Sequence, residues 1–323
     1  MNYRYTLDNR RGRGYIHICP KCEKRKFKRY VDTQTMQYVA DNVGKCNRLI
    51  KCGYHYPPRE YAKDNPQSKT TYMPTCHKTT PIFVNTQKKP SFLNADFVTQ
   101  SMKNERYVNS FTRWLYAIIG KEPNYGIETV KKQINKYYLG GSTHMKDAVI
   151  FWQIDIRGNV RTGKIMRYDS RTGKRLKGNG YNYDWVHACL KRQQKIEDDF
   201  NLEQSFFGEH LLNSDKNATV AVFESEKTAI IASILYPRLI CIATGGLSNL
   251  NASKCVALKG RNVIFFPDLG CFSQWKSKVD QISSRVFFRN YCVDDTLEKN
   301  ATEEEKEHGF DLCDYIIKSL ICS

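Results

Sequence analysis

The chain has no apolar run of the roughly 18 residues that a membrane span needs. Its first residues, M-N-Y-R-Y-T-L-D-N-R-R, lack the apolar core of a signal peptide. Both absences predict a cytoplasmic protein with no membrane partner. Thiols stay reduced there, so the 12 cysteines read as free thiols or metal ligands, not as disulfides. Acidic residues are scarce: 33 Asp and Glu face 51 Lys and Arg, for a net charge of +18. That balance argues for a polyanion partner.

What is present is a globular composition, 41% hydrophobic, in 323 residues. That length exceeds one ordinary core and predicts two or three domains. The basic excess is uneven. Residues 1–65 carry 15 Lys and Arg against 6 Asp and Glu. Clustered cations are the footprint of nucleic acid.

The same segment holds I-C-P-K-C-E-K-R-K-F-K-R-Y (18–30) and G-K-C-N-R-L-I-K-C-G-Y-H-Y-P-P (44–58). Cys19 and Cys22 have the C-x2-C spacing that lets two thiolates reach one tetrahedral Zn2+. Residues 26–32 and 36–41 read as short strands between the two ligand pairs, the layout of a zinc ribbon. The second pair is open: Cys46 with Cys52, or Cys52 with His55. So short and basic a segment needs a metal to hold it, and the zinc is structural. Lys26, Lys28 and Arg29 interleave with Phe27 and Tyr30, which suits single-stranded nucleic acid: bases stack while cations hold phosphates.

Residues 66–92 are polar and proline-containing and read as a linker; the isolated Cys76-His77 pair within it carries no chemistry. Residues 93–137 show helical spacing. From 148 to 176 the pattern turns to strands, with Gly158-Asn159 as a hairpin turn. Residues 158–164, G-N-V-R-T-G-K, imitate a P-loop. Ile165 stands where the magnesium-binding hydroxyl should be, and no helix follows, so that reading is rejected. Lys164 and Arg167, with Lys174 and Arg175, are candidates for a basic channel along this sheet.

The last hundred residues alternate apolar strands with helices: strands at 219–224, 239–244, 262–268 and 285–292, helices at 225–236, 247–258 and 271–283. Continuous apolar strands between helices predict a parallel sheet covered on both faces. Ligands bind beyond the carboxyl ends of such strands, where Glu224, Gly245-Gly246 and Asp268 fall. Two carboxylates in one crevice form a hard-oxygen site for Mg2+ or Mn2+, suited to phosphate chemistry. Lys227 is placed to meet a phosphate, and Glu226 reads as a surface helix charge. The acidic stretch 294–314 reads as a solvated loop.

Strand, Glu, helix, strand, Gly-Gly, helix, strand, Asp over residues 218–320 resembles the Toprim domain of topoisomerases and primases. V-F-E-S-E-K-T-A, A-T-G-G and F-F-P-D-L-G-C-F-S-Q-W, with C-N-R-L-I-K-C-G-Y-H-Y and F-F-G-E-H-L-L (206–212), look most like primase-like proteins of bacterial mobile elements. The resemblance implies metal binding by Glu224 and Asp268, with the glutamate also serving as acid or base. The family pattern is Asp-x-Asp; here it is Asp268-Leu269-Gly270. Asp311 is the candidate for a further carboxylate, ahead of Asp314.

The expectation is therefore a zinc ribbon (1–65), a linker (66–92), an α+β primase-core-like region (93–215) and a Toprim-like α/β domain (216–323). The resemblance implies RNA primer synthesis from ribonucleotides on single-stranded DNA; no helicase segment is visible in the sequence, so any helicase partner is expected on a separate chain. Gly270 keeps two alternatives open: a non-catalytic strand-binding accessory, or a Toprim nuclease.

Overall fold

Eight residues, R-K-F-K-R-Y-V-D, form the longest strand of the N-terminal unit, because Phe27 and Val31 point inward while Arg25 and Lys26 stay in water. The computed structural model of the chain describes residues 4–10, 13–48, 52–65, 89–176, 183–308 and 311–321. The chain divides into two units, Met1–Asn85 and Thr86–Ser323. Most of the expected linker, with Cys76-His77, lies outside the described residues.

In the first unit, β1 (Tyr5–Leu7), β2 (His17–Ile18), β3 (Arg25–Asp32), β4 (Gly44–Cys46) and β5 (His55–Tyr56) form an antiparallel sheet. β1 and β2 pair with one part of β3 each, and β4 joins β3 to β5. Helix α1 (Pro58–Asp64) follows, with proline at its first position. The strand expected at 36–41 is absent, apart from an isolated Val31–Tyr38 bridge. Met36 has φ of 60°, which turns the chain out of an extended path.

The second unit opens with α2 (Asp96–Met102), α3 (Ser110–Ile118) and α4 (Gly126–Lys136). Asn109 caps α3 by accepting from the Thr112 amide, and the Thr112 hydroxyl accepts from the Asn109 amide. An antiparallel sheet follows in the order β6 (Gly140–Gly141), β7 (Val149–Ile154), β8 (Val160–Met166), β9 (Tyr183–Trp185). Gly158, at φ of 84°, turns β7 into β8. Lys164 therefore lies on a strand, opposite Phe151 and Trp185. Helix α5 (Val186–Arg192) closes this part.

The rest of the chain is β10 (Val220–Phe223), α6 (Glu226–Leu235), β11 (Ile240–Ala243), α7 (Ala252–Cys255), β12 (Asn262–Phe266), α8 (Phe272–Ser283), β13 (Asn290–Val293), α9 (Thr296–Asn300), α10 (Glu303–His308) and α11 (Leu312–Ile321). Its four strands are all parallel, in the order β11-β10-β12-β13. Alternation sends Ala221, Phe223, Cys241 and Ala243 to one face, against α6, α3 and α4. Val220, Val222, Ile240 and Ile242 go to the other, against Trp275, Val279 and Ile282 of α8. The α/β class with helices on both faces of a parallel sheet is thus observed.

Three local expectations change. The helix expected at 247–258 is broken: Leu250 is extended and Asn251 recaps the chain as α7. The strand expected at 285–292 begins only at Asn290, opposite Asn262 where β12 starts. The acidic stretch 294–314 is largely helical.

Candidate active site

Parallel register builds the site. Phe223 lies beside Ala243 on one side and Phe266 on the other, so three strands end level. The chain then continues into Glu224, Thr244-Gly245-Gly246 and Pro267-Asp268 along one edge. A strand's last carbonyls and the next helix's first amides cannot pair within the sheet, so polar residues collect there.

Glu224 is fixed by Trp275 of α8, whose Nε1 donates to Oε2 at 3.4 Å. Burial pushes the Glu224 pKa up, against the pull of Trp275 and the nearby charges of Lys164 and Lys278. Asp268 is pushed further, to about 8, first by burial and then by the negative charge of Glu224 and of Asp311. Asp311 is also raised, mainly by burial. It opens α11 in a reciprocal pair with Asp314, each side chain accepting from the other's amide.

Lys227 faces those two carboxylates at 3.6 and 3.8 Å and lies 5.8 Å from the Trp114 ring centre. Burial works to lower its pKa, but the neighbouring charges of Asp311 and Asp314 act against it, and the net direction is up. Lys227 is thus engaged by this chain's own acids.

Glu226 is not a surface charge. It is 2% exposed, and both its oxygens accept from Lys164 Nζ at 3.0 Å. Lys164 correspondingly does not stand free on a basic channel: β8 delivers it into the interior beneath the double glycine. A Cβ on Gly245 would lie 3.0 Å from Glu226 Oε1 and 3.8 Å from Lys164 Nζ, and its φ of 73° already favours glycine. The Gly245 amide donates to the Glu224 carbonyl and the Gly246 amide to Thr244 Oγ1. The turn therefore offers close approach but no free amides. Arg167 forms no ion pair among the described residues and stays half-buried on the stretch after β8.

Sequence reasoning missed the roles of three further residues. Trp275 of α8 closes the motif F-F-P-D-L-G-C-F-S-Q-W and bonds Glu224, and Lys278, one turn on, donates to the Leu247 carbonyl at 2.7 Å and places its charge near Glu224. Glu298 accepts from the Gly270 amide at 2.8 Å, so a carboxylate from α9 meets the backbone where the second aspartate is missing.

In the ribbon, Cys19 and Cys52 sulfurs lie 3.6 Å apart and those of Cys22 and Cys46 3.9 Å apart, with all four inside 4.8 Å of one another. Tetrahedral zinc at a Zn–S length of about 2.3 Å needs sulfurs about 3.8 Å apart, so the set fits zinc. His55 is directed elsewhere, its Nε2 meeting the Tyr30 hydroxyl at 3.0 Å. Of the basic residues, Lys26 is exposed, Lys28 donates to the Asp8 carbonyl and Arg29 pairs with Asp41 at 2.8 Å.

The Glu224–Asp268 set fits a divalent ion by donor chemistry: hard oxygens, where burial first and the charge of Glu224 second hold a proton on Asp268 that an ion would displace. Among the described residues no three of these carboxylates bring oxygens within 4.8 Å of one another. The raised Asp268 value has a consequence for stability. The unfolded carboxyl releases its proton near 3.8 and the folded one near 8, so the metal-free protein loses stability as pH rises through that window. Asp268→Asn is expected to melt several degrees above wild type at pH 8, with the gap narrowing towards pH 5. An equal gap at both values in scanning fluorimetry contradicts this.

Comparison with known proteins gives the following. Residues 3–67 match the zinc beta-ribbon finger family, and residues 109–269 match a domain of unknown function, DUF6371. No curated protein matches. Among solved structures, the chain is similar to a DnaG primase catalytic domain bound to single-stranded DNA, at 13% identity and TM-score 0.38, over 70% of this chain and 80% of that one. It is similar to the primase fragment of the bacteriophage T7 primase-helicase protein, at 14% and 0.31, over 55% and 70%. It is also similar to the zinc-binding and RNA polymerase domains of the Aquifex aeolicus primase, at 12% and 0.32, over 97% and 80%. No helix among the described residues is long and apolar enough to cross a membrane.

Proposed function

We propose that this protein is a primase-like nucleotidyltransferase with a Toprim-type site, serving replication of a plasmid, phage or transposon. It binds single-stranded DNA through the zinc ribbon and joins ribonucleotides at the edge carrying Glu224 and Asp268. The observation that carries the reading is the level ending of β10, β11 and β12, which sets these carboxylates beside a turn without side chains. Mg2+ or Mn2+ held by Glu224 and Asp268 would supply the positive charge that phosphoryl transfer needs. Trp275 orients the Glu224 carboxylate. The Lys164–Glu226 pair packs beneath Gly245 and supports the turn, and Gly246, whose missing side chain faces open space, leaves room for a phosphate to approach.

A second reading is a strand-binding accessory without catalysis. Gly270 in place of a second aspartate favours it, as does the lack of a three-carboxylate cluster among the described residues. A Toprim nuclease would use the same residues to cut.

One assay separates the three. Single-stranded DNA, labelled ribonucleotides and Mg2+ or Mn2+ are expected to yield short labelled RNA with wild type. Glu224→Ala and Asp268→Ala are expected to lower the yield at least 100-fold while strand binding stays within about twofold. Shortened DNA without RNA identifies the nuclease. Binding with neither product identifies the accessory.

A further inference from the structure

Away from the carboxylate edge, the second unit contains a cleft of about 760 Å3 lined by the β7–β8 turn, the segment around Ser205, and α7 with the turn after it. That volume lies within the range of small-molecule sites. Its acids are already spent. Asp155 accepts from the amides of Arg157 and Asn159 and from Arg161 Nε at 2.8 Å. Both oxygens of Glu209 accept backbone amides, from Ile156 and Phe206, at 3.0 Å. Glu203 accepts from Ser253 and lies 3.7 Å from Arg161 Nη1.

Its cations are in surplus. Arg157, Lys216, Lys259 and Arg289 line the cleft and form no ion pair among the described residues. Deeper, Lys254 is 9% exposed, and its Nζ is buried with no hydrogen-bond partner; Arg161 Nη1 likewise has none. Burial, only partly offset by the charges of Glu209 and Glu226, pulls the Lys254 pKa down to about 8. A buried ammonium without an acceptor is costly, which is the condition an entering anion relieves.

We infer that this cleft is a second phosphate site, which takes the terminal phosphate of a small polyphosphate (inorganic pyrophosphate or a nucleoside triphosphate) end-on against Lys254. A group nine-tenths buried meets a ligand that enters the cleft; the phosphodiesters of a strand pass along a surface. The site does not depend on the nucleotidyl-transfer reading, because none of its residues belongs to the carboxylate edge.

Titration of the full-length protein with pyrophosphate, ATP and a single-stranded oligonucleotide tests this, in buffer without divalent metal so that the carboxylate edge takes no part. Pyrophosphate and ATP are expected to bind at or below millimolar concentration. Lys254→Met is expected to weaken both at least tenfold, and Arg157→Ala severalfold, with Asp268→Asn unchanged. ATP tighter than pyrophosphate supports a nucleotide, and equal affinity supports an inorganic polyphosphate. Lys254→Met keeps the apolar stem and removes the unpartnered charge, so its melting temperature should equal or exceed wild type. The inference is overturned if neither small anion binds wild type, if Lys254→Met binds them as wild type does, or if only the oligonucleotide depends on Lys254.

Discussion

Cys46→Ser is expected to release zinc and unfold the N-terminal unit, while His55→Ala keeps both the metal and the fold. The apolar cluster of this unit consists of Cys19, Phe27, Cys46 and Cys52, with Cys22 and Tyr54 packed against it. A core of Phe27, Val31, Val43 and four ligands cannot offset the chain entropy of some 60 residues. Structural zinc contributes on the order of 10–16 kcal/mol to such modules, so losing a ligand removes more stability than the unit has. Elemental analysis should find one zinc per chain in wild type and His55→Ala, and well under half in Cys46→Ser. Limited proteolysis should then cut within residues 1–65. All four tryptophans, Trp114, Trp152, Trp185 and Trp275, lie in the second unit, so tryptophan emission should not move. Full zinc in Cys46→Ser, or zinc lost from His55→Ala, would transfer the ligand role to the histidine.

The second large effect concerns the Lys164–Glu226 pair. Lys164→Ala is expected to destabilise the second unit by about 3–5 kcal/mol, because it leaves Glu226 buried without a counter-charge. For a unit of this size that is a drop in melting temperature of roughly 10 °C. Glu226→Ala should cost a similar amount. The double variant Lys164→Met with Glu226→Leu should recover most of the loss, since two apolar side chains replace a desolvated pair. Recovered stability without recovered primer synthesis would show that the pair also serves the chemistry. If Lys164→Ala melts within 2 °C of wild type, water reaches the pair and the packing described is wrong.

Glu224 and Asp268 are legible in the sequence because an apolar run that stops on an acid marks a strand end, and in a parallel sheet strand ends lie side by side. The C-x2-C pair is legible for a similar reason, since the geometry of a short turn is local. The role of Glu226 is not. Its neighbours in sequence describe a helix start with mixed charge, which ordinarily faces water. Only β8, 62 residues earlier in the chain, brings the ammonium that permits burial. The same limit applies to Trp275, Glu298 and Lys254, whose meaning lies in partners, or missing partners, from distant segments.

The sequence alone therefore determined the ribbon's metal chemistry, the alternation of strand and helix, and the two acids at the strand ends, all set by spacing within a few residues. Tertiary structure decided that Cys46, not His55, joins the other cysteines, that Lys164 and Glu226 are an internal pair, and that Asp268 holds its proton to about 8. Those outcomes depend on desolvation and on charges packed from remote parts of the chain, and neither has a local signature in the residues concerned.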